Sequence, residues 1–340
     1  MPLLETEAIV LEGRDYRETS LLVTLLGRDT GRIGAVAKGA RRPKANLAPL
    51  LQPFSILRVR LSRRPAGGLA NLFGADLLAR PPYARAEPLR LHREEAREAP
   101  EDTLARLAYA GLFAEVLTYS HENDPHAAEL YDLAEDFLLG LGETDHPGSF
   151  AISGYLALLA ALGYAPQLGT ALPHAAPAPA PRALGQGVRT TSNDAEVAWA
   201  SSPSSVAEHG QDARATEDAN RAPQYHLDLL QGTLHPAHPA PRGEASAPTS
   251  YDFALNDEEL DCLRRITRPG ARRPRRTGDS PTEESAAGPV LVSRRAGRTL
   301  LRLTVRMFET HLERPLRSAR FLETMVLAPP TRPPRPTSAK

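Results

Sequence analysis

The chain has 340 residues and a formal net charge of zero, with 41 basic side chains balancing 41 acidic ones. That length accommodates two or three domains with cores of their own, and the single cysteine, Cys262, excludes an intrachain disulfide and fits a reducing compartment. No leader segment precedes the first apolar run and no stretch is long enough to span a bilayer, so the expectation is a cytoplasmic protein without a membrane partner.

Charge is sorted along the chain. Residues 1–80 carry 13 basic and 7 acidic side chains, whereas residues 81–150 carry 5 and 15. Between Thr30 and Ala75 stand Arg32, Lys38, Arg41, Arg42, Lys44, Arg58, Arg60, Arg63 and Arg64, with no Asp or Glu among them. Such a window predicts an uncompensated positive field, the kind that faces phosphates. The plainer alternative is a solvated surface.

Five short apolar runs occupy 5–13, 21–26, 31–37, 52–61 and 69–79, separated by turn signals such as Gly27-Arg28-Asp29. In the fourth run Leu57, Val59 and Leu61 share one face of a strand, and Arg58 and Arg60 share the other. Five strands in about 80 residues is the size of an OB barrel, and an SH3-like barrel fits the same pattern. The third strand runs into Lys38-Gly39-Ala40-Arg41-Arg42-Pro43-Lys44. Gly39 permits a turn and Pro43 prevents a further strand or helix, so the cations are expected on an exposed loop that contacts nucleic acid.

Beyond Pro81-Pro82 the period becomes helical. Leu130, Leu133, Ala134, Phe137, Leu138 and Leu141 form one apolar stripe, and Asp124-Pro125 reads as the cap and first position of that helix. Helices are also expected over 101–121 and 150–162. The segment 173–250 has no sustained apolar period; 175–223 reads as disordered, as does 269–289. Asn256 and Glu259 resemble a capping box opening a helix through Ile266, with Cys262 as a buried thiol. In the last helix Leu301, Val305, Phe308 and Leu312 face inward, and Arg298, Arg302 and Arg306 form a basic row. Residues 328–340 are a Pro-rich tail.

No catalytic constellation stands out. There is no Gly-rich loop ending in Gly-Lys-Ser/Thr, and Asp132, Glu135 and Asp136 lie on the polar side of their helix, so the chain is not expected to be an enzyme. His235 and His238, with His174 upstream, are candidate zinc donors. Asp228 would be a fourth at poor spacing. Histidines in Pro-rich sequence are more often merely polar, and no cofactor is expected.

Several motifs, in order, resemble the RecO family of DNA repair proteins: Glu7-Ala8-Ile9-Val10-Leu11, Tyr16-Arg17-Glu18, Gly31-Arg32-Ile33, Val36 through Arg42, and Gln52-Pro53-Phe54. Leu162-Gly163-Tyr164-Ala165-Pro166-Gln167-Leu168 and Arg314-Pro315-Leu316-Arg317-Ser318-Ala319-Arg320-Phe321-Leu322 extend the likeness. The resemblance implies an α+β chain with an OB-fold domain over 1–80. A helical domain would follow over 81–168 and 251–327, with a zinc-module region set between at 169–250. It also implies binding of single- and double-stranded DNA, strand annealing, and loading of RecA together with RecR and single-stranded DNA-binding protein, in the nucleoid. Carried over to this chain, Lys38, Arg41 and Arg42 would contact DNA, with Arg32 and Lys44 as neighbours; Arg58 and Arg60 of the basic window are expected DNA contacts as well. Arg302, Arg306 and Arg317 would suit the acidic tail of single-stranded DNA-binding protein. The family's module commonly has two C-x-x-C pairs, and Ala171, His174, His235 and His238 stand in their places, so a degenerate module without metal is expected. The rival reading is an RNA-binding OB adaptor, although only Phe54 and Phe73 offer aromatic platforms near the basic block.

Overall fold

The computed structural model describes residues 3–42, 46–62, 68–84, 100–120, 125–168, 225–236, 252–268 and 290–327. Lys44, Arg63, Arg64, Asp124, His174, His238, the 175–223 and 269–289 segments and the tail lie outside them.

The five N-terminal runs form β1 (Leu3–Tyr16), β2 (Ser20–Gly27), β3 (Gly31–Ala37), β4 (Ile56–Ser62) and β5 (Ala70–Ala79). They close into a barrel in the order β1-β2-β3-β5-β4, with β1 returning to β4. All pairs are antiparallel except β3 with β5. This is the OB arrangement, and it resolves the choice that strand count left open. Alternation does the building: Ala8, Val10, Val23, Leu25, Ile33, Ala35, Leu57, Val59, Leu61 and Leu72 all point inward and are buried. A register shift between Val10 and Glu12 lets the long β1 serve two neighbours. The fourth strand begins at Ile56 instead of residue 52, because Phe54 takes a left-handed conformation (φ 69). Its ring then lies 6.4 Å from that of Tyr83, outside the barrel.

The helical part comprises α1 (Pro100–Leu117), α2 (Ala127–Glu143), α3 (Pro147–Ala161), α4 (Asp257–Thr267), α5 (Arg294–Leu312) and α6 (Arg317–Leu322). Stacked rings of Phe113 and Phe137, 4.1 Å apart, and the edge of Phe308 on Tyr155 fill its centre. Side chains finish the helix ends. Arg106 donates to the carbonyls of Leu141 and Thr144 at the end of α2, while Glu115 accepts the backbone N–H groups of Arg317 and Ser318 at the start of α6. The capping box of α4 is present, Asn256 and Glu259 exchanging two bonds of 2.9 Å. The expected start of α2 is corrected: its N-cap is His126, which makes no side-chain cap, and Pro125 stands before it.

Between these helices lies a small sheet that the sequence reading missed: β6 (Tyr225–Asp228), β7 (Leu234–Pro236) and β8 (Asp252–Leu255), in the order β7-β6-β8. Strands of three or four residues are too short to display an alternation. β8 lies just beyond residue 250. Leu227, Leu229 and Leu255 anchor the sheet in the helical core.

Barrel and helices share that core. Ile9, Leu11, Leu26, Phe54 and Ile56 leave the barrel wall to pack against the helical cluster. Arg28 crosses the boundary, 3.0 Å from Asp132 and 3.5 Å from Glu7, with Asp132 chiefly responsible for raising its pKa above the usual range.

Candidate nucleic-acid interface

The turn joining β1 to β2 and the loop leaving β3 meet at one end of the barrel. Arg17 adopts a left-handed conformation (φ 55) in the first. In the second, Gly39 (φ 68) turns the chain immediately after Lys38. The two are pinned together: the N–H of Arg41 donates to the Thr19 carbonyl at 2.9 Å, and the N–H of Gly39 to the Ser20 hydroxyl at 3.4 Å. Further along the second loop, Arg80 donates to the carbonyls of Pro49 and Leu50. Arg17, Lys38, Arg41 and Arg42 are all exposed, so this end presents four cations on backbone held in place by hydrogen bonds.

Their compensation is partial. Arg41 pairs with Asp15 at 2.7 Å, and the Arg17 guanidinium lies 5.3 Å from the Tyr16 ring centre. Among the described residues no carboxylate makes an ion pair with Lys38 or Arg42. Arg17 of the Tyr16-Arg17-Glu18 motif is a cation at this end that the basic window does not include. Its loop is remote in sequence from the basic segment, and only the strand pairing brings them together.

The other expected contacts are placed differently. Arg32 faces the helical part, where its Nε donates to the Ser120 carbonyl at 2.9 Å, so it fastens the barrel to the end of α1. Arg58 and Arg60 stand on the outer face of β4, 3.5 Å from Glu7 and 3.3 Å from Asp76. The expectation of an uncompensated field fails for these two. The window 30–75 holds no acid, yet β1 brings Glu7 from far upstream and β5 brings Asp76 from its edge into register. Pairs this exposed are worth only ~0–1 kcal/mol each, so they lower the local potential without locking the arginines.

Arg302 and Arg306 are exposed on α5, which packs on α3 and α4. Arg317 is exposed at the start of α6, which packs along α1. In the small sheet, His235 is exposed with Nε2 3.1 Å from the Thr233 hydroxyl, and it stands in register with His226, a neighbour the sequence reading overlooked. Asp228 Oδ1 accepts the N–H groups of Leu230 and Gln231 and closes the turn after β6. Among the described residues no group of three or more His, Cys, Asp or Glu is placed to hold a metal, and the candidate donors His174 and His238 lie outside those residues. Asp132 is tied to Arg28 across the domain contact, and Glu135 is buried instead of lying on a solvated face. No described helix is long and apolar enough to cross a membrane.

Comparison with known proteins adds a second line. Residues 1–80 match the family model described as Recombination protein O N terminal, and residues 101–170 match Recombination protein O C terminal. The chain is 34% identical over 167 residues to the DNA repair protein RecO of Myxococcus xanthus, covering 49% of this chain and 62% of that one. It is 29% identical over 166 residues to that of Bacillus subtilis, covering 49% and 58%. A shorter alignment, 55% identical over 53 residues, joins it to that of Laribacter hongkongensis, covering 16% and 22%. The chain thus spans less than two thirds of the length of these relatives. An OB barrel followed by helices, with both family segments matched in order, makes residues 1–80 and 101–170 similar to the two conserved segments of the RecO family.

Proposed function

We propose that this chain is a DNA repair and recombination mediator that binds single- and double-stranded DNA, anneals complementary strands, and acts with RecR and single-stranded DNA-binding protein to load RecA in the nucleoid. The observation that carries the reading is the cationic end of the barrel, where Arg17, Lys38, Arg41 and Arg42 stand exposed on two loops pinned to each other. Cations there take phosphates without reading sequence. Two strands brought onto neutralising surfaces repel each other less, so annealing proceeds with no nucleotide hydrolysis and no catalytic group. Arg302 and Arg306 on α5 and Arg317 on α6 offer positive charge to the acidic tail of single-stranded DNA-binding protein.

The test is annealing of complementary strands coated with single-stranded DNA-binding protein. The chain should accelerate it, and the Lys38→Glu/Arg41→Glu/Arg42→Glu variant should not. Losing three phosphate contacts should also reduce the slope of log affinity against log salt by ~2 on single strands. Unchanged annealing in the variant sinks the reading. Stronger binding to RNA than to DNA of equal length would transfer the chain to RNA metabolism.

A further inference from the structure

We propose that Phe73 is a stacking platform for an unpaired nucleobase, held between two cations on the outer wall of the barrel. The proposal rests on the DNA-binding reading above and adds which form of DNA the site prefers. Phe73 is 47% exposed, more than any other exposed aromatic among the described residues. Its position follows from the strand register. Ala37 of β3 and Leu72 of β5 are the last partners of the parallel pair, and both are buried inside the barrel. The next residue of each strand, Lys38 and Phe73, therefore leaves on the outside at the same level, and both are exposed.

The other flank is set by a bulge. The β4–β5 register passes from Arg60 opposite Gly74 to Leu61 opposite Leu72, which leaves Phe73 as the extra residue with no partner on β4. A Cβ at Gly74 would come within 2.6 Å of Arg60 Nε and 2.9 Å of its Nη2, so the guanidinium covers that glycine, next to Phe73 along the strand. Ammonium, ring and guanidinium thus follow one another across the wall. Asp76 tempers Arg60 from 3.3 Å, and no carboxylate among the described residues pairs with Lys38.

A single strand alternates the same chemistries, with a charged phosphate at each step and a flat base between. Aromatic rings accept any base, because every base has a π-face. In a duplex the bases are already stacked on one another, so the ring has nothing to take. Leu69, Leu77 and Leu78 are also exposed on or beside β5, and a protein docked on that wall is the competing outcome. The two flanking cations favour nucleic acid.

The experiment measures affinity of the full chain for three probes: an oligothymidylate of about 16 nucleotides, matched to the upper site size of an OB fold, an abasic strand of equal length, and a duplex. Phe73→Ala should weaken oligothymidylate binding roughly 5- to 100-fold, leave the abasic strand and duplex unchanged, and leave the salt slope unchanged. Phe73→Trp should bind as well as the parent. The thermal midpoint should hold in both, because the ring lies outside the core. Equal loss on all three probes would make the ring structural and overturn the proposal. Undiminished oligothymidylate binding by Phe73→Ala, beside clear loss in the Lys38/Arg41/Arg42 variant, would overturn it while the DNA reading stands, and would assign the wall to a protein. Failure of the parent chain to bind any probe would remove both.

Discussion

Single arginines in this chain do different work according to what they meet, and the sequence does not distinguish them. Arg32 and Lys38 belong to the same basic window, yet Arg32 donates to the carbonyl of Ser120 while Lys38 stands exposed. Arg32→Gln should therefore lower stability by ~1.5–3 kcal/mol, the range for a hydrogen bond with a charged group, and change DNA affinity little. Lys38→Gln should do the reverse, and thermal melts run beside binding titrations separate the two. Arg106 is a stronger case. Only 8% exposed, it holds Asp102 at 2.8 Å and terminal carbonyls of α2. Arg106→Ala should cost about 3 kcal/mol, since it strands a carboxylate and buried carbonyls together; a denaturant midpoint equal to that of the parent would refute this.

At the scale of elements, legibility followed strand length and distance along the chain. The barrel strands could be read because seven or more residues display an inside and an outside, as Leu57, Arg58, Val59 and Arg60 do. Strands β6 to β8 could not, being too short to show a period. The capping box at Asn256 was legible because both partners are local, and Asn256→Ala should lower stability by ~1 kcal/mol in a chemical denaturation series. The balance of charge around Arg58 and Arg60 was illegible for the opposite reason, since Glu7 reaches Arg58 and Asp76 reaches Arg60 only through strand pairing. The small sheet also bears on metal. Leu227 and Leu255 hold it in the core, so apolar packing supports its fold. A chelator should leave the melting temperature unchanged, His226→Ala/His235→Ala should be nearly neutral, and elemental analysis should find well under one zinc per chain. Stoichiometric zinc lost in that double variant would contradict all three.

For the whole molecule, the barrel is not a bead on a string. Ile9, Leu11, Leu26, Phe54 and Ile56 belong to the helical core as much as to the barrel wall, and Tyr83 closes the contact by donating to the Leu138 carbonyl at 2.9 Å. Calorimetry of the full chain should therefore show these two parts melting in one transition. A fragment of residues 1–80 would expose that apolar surface and should associate or precipitate. Two resolved transitions, or a well-behaved monomeric fragment, would contradict the shared core.

The closure of the barrel has a kinetic side. β3 and β5 touch only where Ala35, Val36 and Ala37 meet Ala70, Asn71 and Leu72, whereas β1 and β4 pair over residues 3–9 and 56–62. That short parallel seam is the weakest join in the wall, and amide deuterium should enter there before it enters the other four joins. The residues just past the seam are Lys38 and Phe73, one from each lip. A polyanion laid across both would act as a clasp, slowing deuterium uptake at the seam, and the same ligand that occupies the surface would thereby keep the barrel shut.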